Sequence, residues 1–137
     1  MLRFISAVGA FAILLSSCAS PAAETSASLD HDFSLRIGQT GTVTGEPLRI
    51  RFGGIMGDSR CPTGAQCVWQ GEVTARVEIS YRQTAYEKVL TQPGLTSTAA
   101  TAGFNEYDIE FNVLPYPEVG KQIPQGDYIL RLKVHRK

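Results

Sequence analysis

Apolar and polar residues alternate with a period of two along most of the chain after residue 32. Phe33, Leu35 and Ile37 are separated by Ser34 and Arg36, and Leu48, Ile50 and Phe52 by Arg49 and Arg51. The pattern returns at Val73, Ala75, Val77, Ile79 and Tyr81, at Tyr107, Ile109, Phe111 and Val113, and at Tyr128, Leu130, Leu132 and Val134. A period of two puts one side of a strand on a core and the other in water, which a helix cannot do with the same residues. Tyr86 to Thr91 reads as a weaker strand and Gly41 to Thr44 as a short one. Turn chemistry falls between the runs at Gly45-Glu46-Pro47, Gly53-Gly54, Gln92-Pro93-Gly94, Pro115-Tyr116-Pro117 and Pro124-Gln125-Gly126-Asp127. Leu95 to Gly103 is a run of small residues that reads as a mobile loop.

About seven such strands in roughly 105 residues predict an all-β domain, an antiparallel β-sandwich with one disulfide. An immunoglobulin-like layout is one form of it, and a small β-barrel is the alternative.

The N-terminus has a different character. Arg3 precedes an apolar run from Phe4 to Leu15 that is too short for a permanent span of ~20 residues and has the form of an export signal. It ends in Leu15-Ser16-Ser17-Cys18, which resembles the lipobox of bacterial lipoproteins: leucine three positions before the cysteine, with small residues between. The resemblance implies that residues 1–17 are a signal peptide and that Cys18 carries diacylglycerol, with a third chain on its amine as a further option. Two acyl chains make a stable anchor where one does not. Ala19 and Ser20 follow without an aspartate, which in enteric-type bacteria implies the outer membrane, facing the periplasm. An ordinary signal peptide cut between Ser20 and Ala23 is the alternative.

Residues 18–32 then read as a lipidated flexible tether, because Ala19 to Asp32 holds mostly small and polar residues. As a coil it would span ~20 Å and stand the domain, residues 33–137, clear of the headgroups. The whole chain holds 13 Lys+Arg and 13 Asp+Glu, so loss of Arg3 leaves 12 against 13. No basic patch stands out, and nucleic acid is not an expected partner. With Cys18 lipidated, Cys61 and Cys67 remain for each other in a compartment where disulfides persist.

Five residues separate Cys61 from Cys67, which is not the Cys-x-x-Cys spacing of a dithiol redox site, and zinc would need four converging ligands. A structural disulfide is the simpler reading, with Pro62, Thr63 and Gly64 turning the chain; closing such a loop is worth roughly 2 kcal/mol. In an extended strand Trp69 shares the face of Cys67, so Trp69 is expected in the core beside the disulfide, with Gly71 on the same face allowing close approach. Asp58 and Arg60 flank the loop. They form either a turn cap with a surface ion pair worth under ~1 kcal/mol, or a charged recognition corner held rigid by the disulfide. The stretch Asp58-Ser59-Arg60-Cys61-Pro62, continued by Cys67-x-Trp69-x-Gly71-Glu72, is similar to a motif of uncharacterised exported bacterial proteins, many of them lipoproteins. The likeness supports export, disulfide and β fold and brings no catalytic residue with it.

Catalytic residues are not legible. His31 lies in the tether and His135 near the end, expected to face solvent, and neither sits at a turn where a triad is usually assembled. Gly53-Gly54 lacks the lysine and helix of a phosphate loop. Glu72, Glu78 and Glu110 fall on polar strand positions, where a carboxylate pair would depend on the fold. Among the tyrosines, Tyr116 between two prolines is expected to be exposed.

The function expected is that of a non-enzymatic, lipid-anchored envelope protein with no cofactor or metal beyond its acyl chains. It would bind another envelope protein or glycan through the disulfide-loop end, with Asp58, Arg60 and Gln66 as contacts. The alternatives are a small-ligand or metal carrier with Thr96 to Gly103 as a lid, and a carboxylate-dependent hydrolase.

Overall fold

The computed structural model describes residues 23–94 and 99–137; the expected signal peptide, residues 1–17, and Cys18 lie outside them. Nine strands form: β1 (Glu24–Ala27), β2 (Phe33–Arg36), β3 (Thr40–Val43), β4 (Leu48–Asp58), β5 (Glu72–Tyr81), β6 (Thr84–Pro93), β7 (Ala100–Phe104), β8 (Tyr107–Leu114) and β9 (Ile129–Arg136). They make two sheets, ordered β1-β3-β4-β5-β6 and β2-β9-β8-β7. This is the expected β-sandwich and not a closed barrel. Its connectivity is two meanders joined by crossovers rather than the strand partition of an immunoglobulin domain.

The alternating residues face one another across the two sheets. Ile50, Phe52, Val77, Ile79 and Leu90 from the first sheet meet Leu35, Ile109, Phe111, Leu130 and Leu132 from the second, all fully buried. Gln92 is the one uncharged polar side chain buried with them among the described residues; it donates to Asn112 Oδ1 at 2.9 Å and accepts from the Val113 N–H at 2.8 Å.

Several sequence-based expectations are corrected. Gly53-Gly54 is not a turn: β4 runs straight past it, with register shifts between Phe52 and Gly54 and between Ile55 and Gly57. The glycines absorb bulges, which bend a long strand without ending it. Gln92 and Pro93 close β6 rather than form a turn. The predicted loop, Leu95 to Gly103, and the lid within it, Thr96 to Gly103, take in all of β7 but Phe104; Ala100, Ala102 and Phe104 pack against the core, and residues 95–98 lie outside the described residues. Small side chains on an edge strand hid its alternation.

Part of the predicted tether, residues 18–32, is strand: Glu24–Ala27 pairs in parallel with β3, with Glu24 opposite Thr40 and Ala27 opposite Val43. An edge strand is held by backbone hydrogen bonds and needs no apolar face to announce it. Behind it, Asp30 donates its N–H to Val134 O, and Asp30 Oδ1 lies 2.6 Å from His135 Nδ1. His135 Nε2 approaches Glu110 Oε2 at 3.4 Å, so His135 is half-buried between two carboxylates rather than simply turned to solvent.

The hydrogen bond that the His135 ring donates to Asp30, with help from Glu110, raises the His135 pKa above its ordinary value although partial burial works against it. The protonated ring pins the β1–β2 crossover, and this contribution is present below about pH 6.5 and lost as pH rises through the raised value. We expect ring-proton NMR to show His135 titrating above the ordinary range, and Asp30→Asn to bring it down.

Candidate functional site

The disulfide loop sits at the end of the sandwich where β4 finishes and β5 begins. Ser59 N–H to Glu72 O (2.8 Å) and Cys61 N–H to Gln70 O (3.0 Å) carry the β4–β5 pairing to the base of the loop. The expected Cys61–Cys67 disulfide is present, with Cα atoms 5.9 Å apart. Gly71 is at φ +66°, and a Cβ there would overlap the Ser59 carbonyl, so no other residue can carry the chain across at this point.

Arg60 is the organising residue, and it is not on the surface. It is 4% exposed. Its Nε and Nη2 donate to the two carboxylate oxygens of Asp58 at 2.8 and 2.6 Å, a bidentate pair. Nη1 donates to Val113 O at 2.8 Å and Nη2 also to Pro115 O at 3.0 Å, while the guanidinium stands 5.1 Å from the centre of the Tyr116 ring. Tyr128 completes the cluster by donating its hydroxyl to Asp58 Oδ2 at 3.0 Å.

The reason for this burial lies in β8. Its partner β7 begins at Ala100, opposite Phe111, so the backbone of Val113 reaches past the end of the pairing. A buried N–H and C=O must be paired. Gln92 accepts from the Val113 N–H, and Arg60 donates to the Val113 carbonyl. The charged recognition corner predicted at Asp58 and Arg60 is therefore a buried clamp, and of the predicted contacts Gln66 alone is exposed.

Trp69 is corrected in the opposite sense. It is 81% exposed and Val68 is 93% exposed. The inference that Trp69 shares the face of Cys67 in the core required an extended strand, and the chain from Thr63 to Gln70 is an exposed irregular loop beyond the end of the β4–β5 pairing. Val119 lies against its base: the Val119 N–H donates to Thr63 O at 3.3 Å, and the side chain is 56% exposed. Tyr116, predicted exposed, is half-buried, its hydroxyl donating to Cys61 O at 3.0 Å and to the Gly94 carbonyl. The end of the molecule is thus a polar clamp inside and an apolar tip outside.

No family model, curated protein or solved structure matches this chain.

Away from the loop, the predicted carboxylates do not come together. Glu78 lies on the outer face of one sheet and Glu110 on the outer face of the other. Glu72 and Glu78 are six residues apart on one strand, about 20 Å at ~3.3 Å per residue, far beyond the spacing at which two carboxylates share a glycosidic bond. An open groove of about 460 Å³ lies at the opposite end of the sandwich, between Glu46, Arg49 and Arg82.

Burial pushes the Asp58 pKa up, but its hydrogen bonds to Arg60 and the Arg60 charge outweigh that and hold it below the ordinary carboxylate value. The Tyr128 hydroxyl is pushed up to about 12, by burial first and then by Asp58. Removing one partner of a buried pair strands the other, so Arg60→Leu should destabilise the domain by about 3–5 kcal/mol, read from urea midpoints. Arg60→Lys, which lacks the two-pronged geometry, should recover only part of this. The contribution of Asp58 is present at neutral pH and lost as pH falls through its lowered value. The stability gap between wild type and Asp58→Asn should therefore be widest near neutrality and close below about pH 4.

Proposed function

We propose that this protein is a non-enzymatic, lipid-anchored component of the bacterial cell envelope that makes its contact through the disulfide-loop end. In this reading residues 1–17 direct export, Cys18 carries diacylglycerol, and the domain sits on the outer membrane facing the periplasm. The lipobox Leu15-Ser16-Ser17-Cys18 and a disulfide suited to an oxidising compartment support the anchor and the export.

One observation carries the contact: Val68 and Trp69 are turned out to solvent on a loop whose base is fixed by a disulfide, Gly71 and the Arg60 clamp. Exposed aromatic and aliphatic side chains on a rigid support lose little conformational freedom on docking and are the usual anchors of an interface. The contact residues are then Gln66, Val68 and Trp69. Asp58 and Arg60 act beneath them as supports.

Mass spectrometry of the protein taken from its own membranes tests the anchor. The expected species begins at Cys18 and has the mass of the chain plus its acyl groups, less the hydrogens of one disulfide. A chain starting elsewhere without lipid would defeat this reading. A photo-crosslinking side chain at position 68 is expected to capture an envelope component in living cells, whereas one at exposed Ala85, at the far end, is not.

A further inference from the structure

We propose that the surface touched by the loop end is the bilayer that holds the anchor, with Val68 and Trp69 seated in its interfacial region. This rests on acylation of Cys18 as read above, and it follows from how the chain enters the domain.

β1 is parallel to β3 and starts with Glu24 opposite Thr40, which is itself opposite Arg51 on β4. The N-terminal end of β1 therefore points in the direction in which β4 travels, toward the disulfide loop. Arg51 pairs with Glu78 and Asp58 with Val73, so the rise between these levels is five β5 residues, about 17 Å at ~3.3 Å per residue, the two extra residues of β4 being taken up in its bulges. Only five residues, Ala19 to Ala23, lie between Cys18 and Glu24, and six fully extended steps cover no more than ~22 Å. The reach exceeds the rise by only ~5 Å. Stretched along the molecule, the chain carries Cys18 little past the level of Asp58, whereas the β4–β5 pairing continues three residues further, to Cys61 and Gln70, before the disulfide loop begins, about 10 Å at ~3.3 Å per residue. An acyl chain on Cys18 cannot enter a bilayer below this end of the domain without bringing the loop to the headgroups.

The chemistry of the tip suits that position. From Thr63 to Gln70 there is no charged side chain, so the tip enters the interface without desolvating an ion. Tryptophan is favoured at the membrane–water boundary, where its ring is partly in lipid and its N–H stays with polar groups. The side of the domain next to the entering chain is less suited, because Glu24, Arg49 and Arg51 stand exposed on it.

Trp69 is the only tryptophan of the sequence, so fluorescence reports this one position. The full acylated protein would be placed in vesicles of phosphatidylethanolamine with a minor share of phosphatidylglycerol, with and without bromine on the acyl chains near the headgroups. Flotation and the acylated mass would be recorded on the same sample. Trp69 is expected to lose most of its emission to the brominated lipid, to be sheltered from iodide, and to stay so when salt is raised, because the tip carries no charge. Val68→Asp, at a position 93% exposed, should keep the fold and the flotation but lose the bromine quenching. Protein that floats with its acyl mass intact while Trp69 is open to iodide and untouched by bromine would overturn the inference and leave the anchor standing. Protein without the acyl mass would overturn both.

Discussion

The structure depends on the closing of one strand edge. β8 outruns β7, and the backbone of Val113 would be left with a donor and an acceptor inside the protein. Two side chains from the facing sheet and its loop supply the missing partners, Gln92 for the N–H and Arg60 for the carbonyl. Arg60 can be buried for this purpose because Asp58 neutralises it in bidentate geometry, and Asp58 is held in turn by Tyr128 from the start of β9. One guanidinium thereby joins the end of β4, the end of β8 and the turn after it. The disulfide loop is fixed because it leaves directly from this residue.

The same cluster explains why the end of the molecule has an apolar exterior. Polar groups that would ordinarily cap a loop are turned inward to satisfy the backbone, as with the Tyr116 hydroxyl on Cys61 and Gly94. The loop beyond them has no core to enter. Val68 and Trp69 are left outside by geometry, and the polar network under them keeps them there.

Alternation made the long strands legible: β4, β5, β8 and β9 each bury every second residue where the sequence predicts it. It failed where a strand has no repeated large apolar residue, as in Glu24–Ala27 and in Ala100–Phe104, where Phe104 stands alone at the end, since edge pairing is a property of the backbone. Two hairpins were silent for a related reason: Arg82, Gln83 and Asn105 take positive φ without a glycine to mark the turn. At the site, the disulfide was readable from cysteine arithmetic. The reversal of Arg60 and Trp69, buried cation and exposed ring, was not, because residue type alone favours the opposite placement for both. Only the register that leaves Val113 unpaired explains Arg60, and register is not written in the alternation.

The parallel pairing of β1 has a mechanical side. Tension applied to β1 at its Glu24 end along the strand axis would load its hydrogen bonds to β3 in shear. A ladder loaded in that direction must give way all at once, whereas one pulled from its side opens one bond at a time. Resistance to such a pull is set by the rate of rupture and not by equilibrium stability. Were the domain pulled from its N-terminal side, this four-residue strand, whose only apolar side chain is Ala27, would take the load before the hydrophobic core.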